Sequence, residues 1–233
     1  MKPIAIIPAR GGSKRIPRKN IKFFGGAPII SYPIQELIKS NIFDSIYVST
    51  DDSEIAEIAK YCGAKVPSLR SKKLADDITT TVEVIQAAII DFGLDKQKTR
   101  QICCVYPTTP FLNSEDVQQG LKILQEGDWD YVISANKLNF LPQRTFMVGP
   151  NKRVKQHFEQ FENKRTQDID PSYRDAAQFY WGRASTWLAR LPIFSSKSTI
   201  IEILRENTFD IDTMEDWDRA ESLLKYEGVD PNQ

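Results

Sequence analysis

Residues 3–20 read PIAIIPARGGSKRIPRKN, and the two halves of this stretch demand different surroundings. The first half, residues 3–9, is short, apolar and β-branched, with proline and glycine at its edges. That is the pattern of a strand buried on both faces, as in a parallel sheet. The second half, residues 10–20, places Arg10, Lys14, Arg15, Arg18 and Lys19 within eleven residues that include no carboxylate. Gly11 and Gly12 permit a tight turn and leave backbone N–H groups able to point at an anion. Open α/β sheets bind ligands beyond the carboxyl ends of their strands. A buried strand running into this loop therefore predicts a polyphosphate site, with arginine supplying forked hydrogen bonds and lysine a point charge. The loop matches neither G-x-x-x-x-G-K-[ST] nor G-x-G-x-x-G.

Working outward, apolar strands and amphipathic helices alternate. Residues 45–50 and 101–107 read as strands, and 131–135 as a third. Helical spacing covers 29–40, 51–63, 79–93 and 114–127. This grammar predicts an α/β fold, a Rossmann-like and mostly parallel sheet with helices on both faces. Residues 137–175 break it. They are polar and aromatic without helical period, and 144–158 suggests two strands around a Gly-Pro-Asn turn. They are read as a protruding arm on one domain spanning 1–233. The chain rejoins the sheet at 177–181, adds a strand at 209–212 and ends in a helix over 214–227.

Composition narrows the function. Thirty-one basic and 31 acidic residues cancel, so the chain as a whole is drawn to neither nucleic acid nor membrane. No apolar run reaches transmembrane length and no signal peptide is visible. Three cysteines without C-x-x-C spacing suit a reducing cytoplasm, and the single histidine, His157, leaves no His-rich zinc site. Near the other end stands FDIDT, residues 209–213. Alternation along a strand would put Asp210 and Asp212 on one face, where a hard cation such as Mg²⁺ would relieve their repulsion. The competing reading makes Asp212 or Thr213 the N-cap of the next helix, with Glu215 or Asp216 completing a capping box.

At these residues the chain resembles the acylneuraminate cytidylyltransferases, the CMP-sialic acid synthetase family. IPARGGSKRIPRKN is similar to their nucleotide-binding signature. VSTDDSEIAEIAKYCGAKV (48–66), RSKKLADDITTT (70–81), YPTTPF (106–111) and FDIDTMEDWDRAE (209–221) follow in the family's order. Tyr106 stands where sialic acid enzymes commonly carry Gln, and Arg15 where they commonly carry Gly. RTQDIDPSYRDAAQFYW (165–181) resembles the pseudaminic acid branch.

The resemblance implies a nucleotide-diphospho-sugar transferase-like fold and an enzyme that couples CTP to a nine-carbon 2-keto sugar acid, releasing pyrophosphate. It implies Arg10, Lys14, Lys19 and Asp212 as catalytic residues, with Asp210 and Asp212 holding Mg²⁺. CTP would be bound by Arg10, Gly11, Gly12, Ser13, Lys14, Lys19, Asn20, Arg70, Asp77 and Thr80. Tyr106, Arg165, Gln167, Tyr173 and Gln178 would meet the sugar acid, pseudaminic acid first and sialic or legionaminic acid as alternatives. It also implies a homodimer joined through the arm. A non-catalytic anion or RNA binder is the competitor from another class; it calls for basic residues spread along a face. A nicotinamide-dependent oxidoreductase ranks last for want of the glycine fingerprint.

Overall fold

The computed structural model describes residues 1–204 and 208–227. In chain order the elements are β1 (Ile4–Pro8), β2 (Phe23–Phe24), β3 (Ala27–Pro28), α1 (Ser31–Lys39), β4 (Ser45–Ser49), α2 (Ser53–Tyr61), α3 (Thr81–Asp91), β5 (Gln101–Val105), α4 (Ser114–Glu126), β6 (Tyr131–Lys137), β7 (Phe146–Val148), β8 (Val154–Gln156), β9 (Tyr173–Arg183), α5 (Ala184–Leu188), β10 (Ser198–Glu202) and α6 (Met214–Glu227). Six strands form the main sheet in the order β10-β6-β9-β5-β1-β4. β4 and β5 flank β1 in parallel, and β10 runs parallel to β6. β9 lies between β5 and β6, antiparallel to both.

The helices begin where side chains satisfy their free N–H groups. Asp52 caps α2, accepting from the N–H of Glu54 and Ile55. Thr80 and Glu83 form a reciprocal capping box on α3, and Asn113 caps α4. One face of the sheet packs its apolar residues with Ile34 and Leu37 of α1, Ile55 and Ala59 of α2, and Val117 and Leu121 of α4. The other face packs with Ile85 and Ile89 of α3 and Trp187 of α5. Helices on both faces are thus borne out.

Three expectations need correction. Residues 209–212 are not a strand; they run as irregular chain. The returning strand is longer than 177–181 and antiparallel. α5 and β10 lack any counterpart in the sequence reading, being five residues each and too short to show a period. The arm does carry the expected hairpin, with β7 pairing β8 from Phe146↔Gln156 to Val148↔Val154.

A third apolar cluster decides where the function lies. Ile16, from the middle of the basic loop, is fully buried, as is Ile211, between the two aspartates. Both join one cluster with Phe24, Phe111 and Trp217, where Phe24 meets Trp217 edge-on at 5.3 Å. Burying each isoleucine stabilises the fold by about 1.5–3 kcal/mol. The apolar residue within each charged motif therefore docks that motif beside the other.

Candidate active site

β1 passes to β4 on one side, and the chain then returns to place β5 on the other. β1 and β5 thus border the topological switch point, where open sheets hold ligands. A cavity of about 550 Å³ opens there. Arg10, Ser13, Lys14, Arg15, Lys19 and Asn20 line it from the loop after β1. Tyr106, Pro107 and Thr108 line it from the end of β5, and Arg70, Asp76, Asp77, Thr79 and Thr81 from the segment before and into α3.

The loop is held from outside. Gly11 N–H donates to Asp51 Oδ1 at 3.0 Å, and Asn20 donates to the Arg10 carbonyl at 2.8 Å. A Cβ on Gly11 would come within 2.7 Å of Asp52 Oδ2, so the glycine is needed for the loop to lie against α2. Arg18 sits in the left-handed region at φ 56 and forks onto Asp52, with a further ion pair to Glu54. Of the five cations, Arg18 therefore anchors the loop, and it is absent from the residues lining the cavity.

The Arg18 hydrogen bond holds the Asp52 carboxyl below its ordinary range, against the opposing effect of burial. A depressed carboxyl contributes stability above its unfolded value near pH 4, and that contribution fades as pH falls through the lower folded value. Asp52→Asn keeps a competent cap but loses the charge. It should cost about 1 kcal/mol at pH 7, the partial exposure of Arg18 limiting the loss. Denaturant titrations of both proteins should converge as pH falls below the lowered folded value; a gap that stays as wide in acid as at pH 7 would assign the effect to something other than the carboxylate.

The remaining cations meet carboxylates within the site. Asp77 pairs with Arg10 at 2.7 Å and with Lys14. Asp212 pairs with Arg15 at 2.7 Å and Lys19 at 3.4 Å. Lys19 also donates to the Ile211 carbonyl at 2.7 Å, so positions 193 apart in sequence meet. Arg70 is 6% exposed, and its Nε and one terminal nitrogen have no hydrogen-bond partner among the described residues. Burial lowers its pKa and nearby Arg10 lowers it further, with Asp51 opposing. A buried guanidinium with idle donors on a cavity wall calls for an acceptor from a ligand.

The capping reading holds in its Thr213–Asp216 form, which leaves the Asp210 and Asp212 carboxylates outside the cap. Thr213 accepts from Asp216 N–H at 3.2 Å, and Asp216 accepts from Thr213 N–H at 2.9 Å. That pair caps α6. The Asp210 carboxyl is raised by partial burial and by the charge of Asp212, while Lys19, Arg15 and Arg174 oppose the shift. Among the described residues no group of three or more His, Cys, Asp or Glu gathers as a metal cage.

Of the other site residues expected from the sequence, Thr80 is spent on its cap, while its neighbours Thr79 and Thr81 line the cavity. Gly12 lies in open space. Gln178 is buried beside Tyr106, whose N–H donates to its carbonyl at 2.9 Å. Arg165, Gln167 and Tyr173 are exposed on the arm and its return, and none of them lines the cavity. The sequence reading missed the anchoring roles of Asp51, Asp52 and Arg18. The first two showed only as a helix start.

A cationic cavity at the switch point of an α/β sheet, with Asp212 paired to two of its lining cations, suits a nucleotide-handling enzyme of the nucleotidyltransferase type. The sequence model of the cytidylyltransferase family matches residues 4–230, and the chain belongs to that family. It is 39% identical over 225 residues to the pseudaminic acid cytidylyltransferase of Campylobacter jejuni, covering 97% of each chain. It is 28% identical to the CMP-N,N'-diacetyllegionaminic acid synthase of Legionella pneumophila, again over 97% of each. Among solved structures, a CMP:2-keto-3-deoxy-manno-octonic acid synthetase complexed with CTP shares the fold, with a TM-score of 0.72 at 15% identity over 97% of this chain and 100% of that one. No helix among the described residues is long and apolar enough to cross a membrane.

Proposed function

We propose that this chain transfers the CMP moiety of CTP to pseudaminic acid, releasing pyrophosphate. The observation that carries the reading is the cavity at the β1/β5 switch point, where Arg10, Lys14, Lys19 and Arg70 converge and Lys19 reaches Asp212. The choice of sugar rests on the 39% identity to the Campylobacter jejuni enzyme over nearly the full length of both chains.

In the transfer, the anomeric hydroxyl of the sugar acid attacks the α-phosphorus. A new O–P bond forms, the hydroxyl proton passes to water, and the bond from the α-phosphorus to the α–β bridging oxygen breaks, that oxygen leaving with pyrophosphate. Such reactions require alignment and charge neutralisation more than covalent help. Arg10, Ser13, Lys14 and Lys19 hold the triphosphate and offset the charge gathering on departing pyrophosphate. Asn20 and Arg70 orient the nucleoside, with Arg70 offering its idle donors to a carbonyl or phosphate oxygen. Asp77, which occupies Arg10 and Lys14 in the free chain, is displaced as the triphosphate enters.

Asp210 and Asp212 suit Mg²⁺. Both are hard oxygen donors, burial and the charge of Asp212 raise Asp210, and the lack of a third acidic ligand among the described residues leaves positions for phosphate oxygens and water. When bound, the ion would offset phosphate charge and acidify the attacking hydroxyl. Arg165, Gln167 and Tyr173, which do not line the cavity of their own chain, fit a homodimer in which the arm meets a neighbour's site. Phe146, Met147, Val148 and Val154 on the arm hairpin are all at least half exposed, an apolar surface of the kind that marks an interface. A CTP substrate and free cysteines suit the cytoplasm.

The test is pyrophosphate release with CTP against pseudaminic, legionaminic and sialic acids, with and without Mg²⁺. Pseudaminic acid should give the highest kcat/KM, and removal of the metal should abolish turnover. Preference for another sugar acid would move the substrate, and release with none of them would overturn the reading. Light scattering should give twice the chain mass; a fully active monomer would remove the role given to the arm.

A further inference from the structure

Side chains tie the segment that carries the two aspartates to the main sheet. The parallel ladder of β10 and β6 runs from Ser198↔Tyr131 to Glu202↔Ala135, and Ile203 N–H then donates to the Ala135 carbonyl at 2.8 Å. One residue further along β6, Asn136 is 1% exposed, and its side chain continues the tie. Its Nδ2 donates to the Ile203 carbonyl at 2.8 Å and to Thr208 Oγ1 at 2.9 Å. Thr208 is also buried and donates in turn to the Leu204 carbonyl at 3.3 Å.

The partners fix the role of each atom. A carbonyl can only accept, so the amide must present its nitrogen to Ile203. The second hydrogen of that nitrogen goes to Thr208, and the Thr208 proton goes to Leu204. All three protons hold Thr208 against the end of β10. The amide oxygen of Asn136 has no partner among the described residues, and a buried idle acceptor costs stability. An apolar side chain would avoid that cost, so the gain from Asn136 lies in what its donors hold.

They hold the chain two residues before Asp210. Asp210 makes none of the ion pairs that fix Asp212 to Arg15 and Lys19, so its place is set by the backbone on either side. After it, Ile211 is buried and its carbonyl accepts from Lys19 at 2.7 Å. Before it, Phe209 packs on Phe111 with ring centroids 5.3 Å apart, but apolar burial is non-directional. The directional anchor on that side is Thr208, gripped by Asn136.

We propose that Asn136 and Thr208 are positioning residues that hold Asp210 in register with Asp212 for a shared divalent cation. This deepens the reading above that the two aspartates suit Mg²⁺, and it rests on that reading. Mg²⁺ tolerates little departure from octahedral geometry, so a carboxylate whose backbone can shift is a poor ligand for it. Partners one step behind a metal ligand typically govern ten- to a hundredfold of affinity, roughly, through orientation alone.

The experiment uses the full chain with CTP and no sugar acid, so turnover is not the readout. Water-proton relaxation with Mn²⁺ in place of Mg²⁺ separates Mn²⁺–CTP on the protein from Mn²⁺–CTP in solution, and metal-free CTP is titrated alongside. Thr208→Val is nearly isosteric and removes the hydroxyl. It should weaken Mn²⁺–CTP binding about tenfold and leave metal-free CTP within twofold, while Thr208→Ser should restore the affinity. Asn136→Leu should match Thr208→Val; should it fail to fold, Thr208→Val alone decides. In an Asp210→Asn background Thr208→Val should add less than twofold, because the carboxylate it positions is gone. A lowered melting temperature with unchanged Mn²⁺–CTP affinity, an equal loss of metal-free CTP, or a tenfold loss that persists beside Asp210→Asn overturns the proposal and leaves the Mg²⁺ reading intact. If the unaltered chain binds Mn²⁺–CTP no better than metal-free CTP, both fall together.

Discussion

Asp212→Asn is expected to lower kcat about a thousandfold and to leave the melting temperature within a degree or two. The two halves of this result have separate causes. The side chain lies beside Lys19 and Arg15 at the cavity, so the neutral amide removes the charge proposed to hold Mg²⁺ against the triphosphate. Stability should hardly move, because α6 is capped by Thr213 and Asp216 and because part-exposed ion pairs of this kind contribute little. Asp210→Asn should fall short of the same loss, since Asp210 makes none of the ion pairs that tie Asp212 to the basic loop. Titrating Mg²⁺ separates the causes further: Asp212→Asn should require far more metal for half-maximal rate. An enzyme that unfolds early yet turns over normally would assign Asp212 to the fold instead of the chemistry.

How much of this was legible beforehand follows from the range of each interaction. The Ile4–Pro8 strand and the helices starting near Asp52 and Thr80 are dictated by neighbours within a few residues, and pattern reading found them. The basic loop was legible because its charge has no local carboxylate to answer it. Its partners were not. Asp51 and Asp52 looked like a helix start, and nothing near them announces Gly11 and Arg18, 40 and 34 positions away. Residues 209–212 alternate as a strand would, Ile211 buried and Asp210 outward, yet form none. Alternation reports which side chain is buried; here the burial comes from the cluster around Trp217 and Phe24 rather than from a sheet. Nor does any local signal announce the contact of Thr81 with Tyr106, 25 positions apart, or the left-handed conformation of Ala177, a non-glycine residue.

Lys14→Ala should cut kcat/KM for CTP by two to three orders of magnitude with no measurable change in unfolding. Lys14 is 79% exposed at its side chain, and its partner in the free chain is Asp77. An exposed pair of this kind is worth little to the fold, so the loss must appear in catalysis if the lysine meets phosphate. Asp77 sharpens the test. Its carboxyl lies below the ordinary range because Lys14 and Arg10 both reach it, so it competes with triphosphate for the same cations. Asp77→Asn should therefore tighten CTP binding, opposite in sign to Lys14→Ala, and the gain should shrink as salt rises and screens the competition. In the double variant the benefit of removing Asp77 should be smaller, since one of the two cations it occupied is gone; coupling of that sign in kcat/KM for CTP places Lys14 and Asp77 at one phosphate site, whereas simple additivity would separate them.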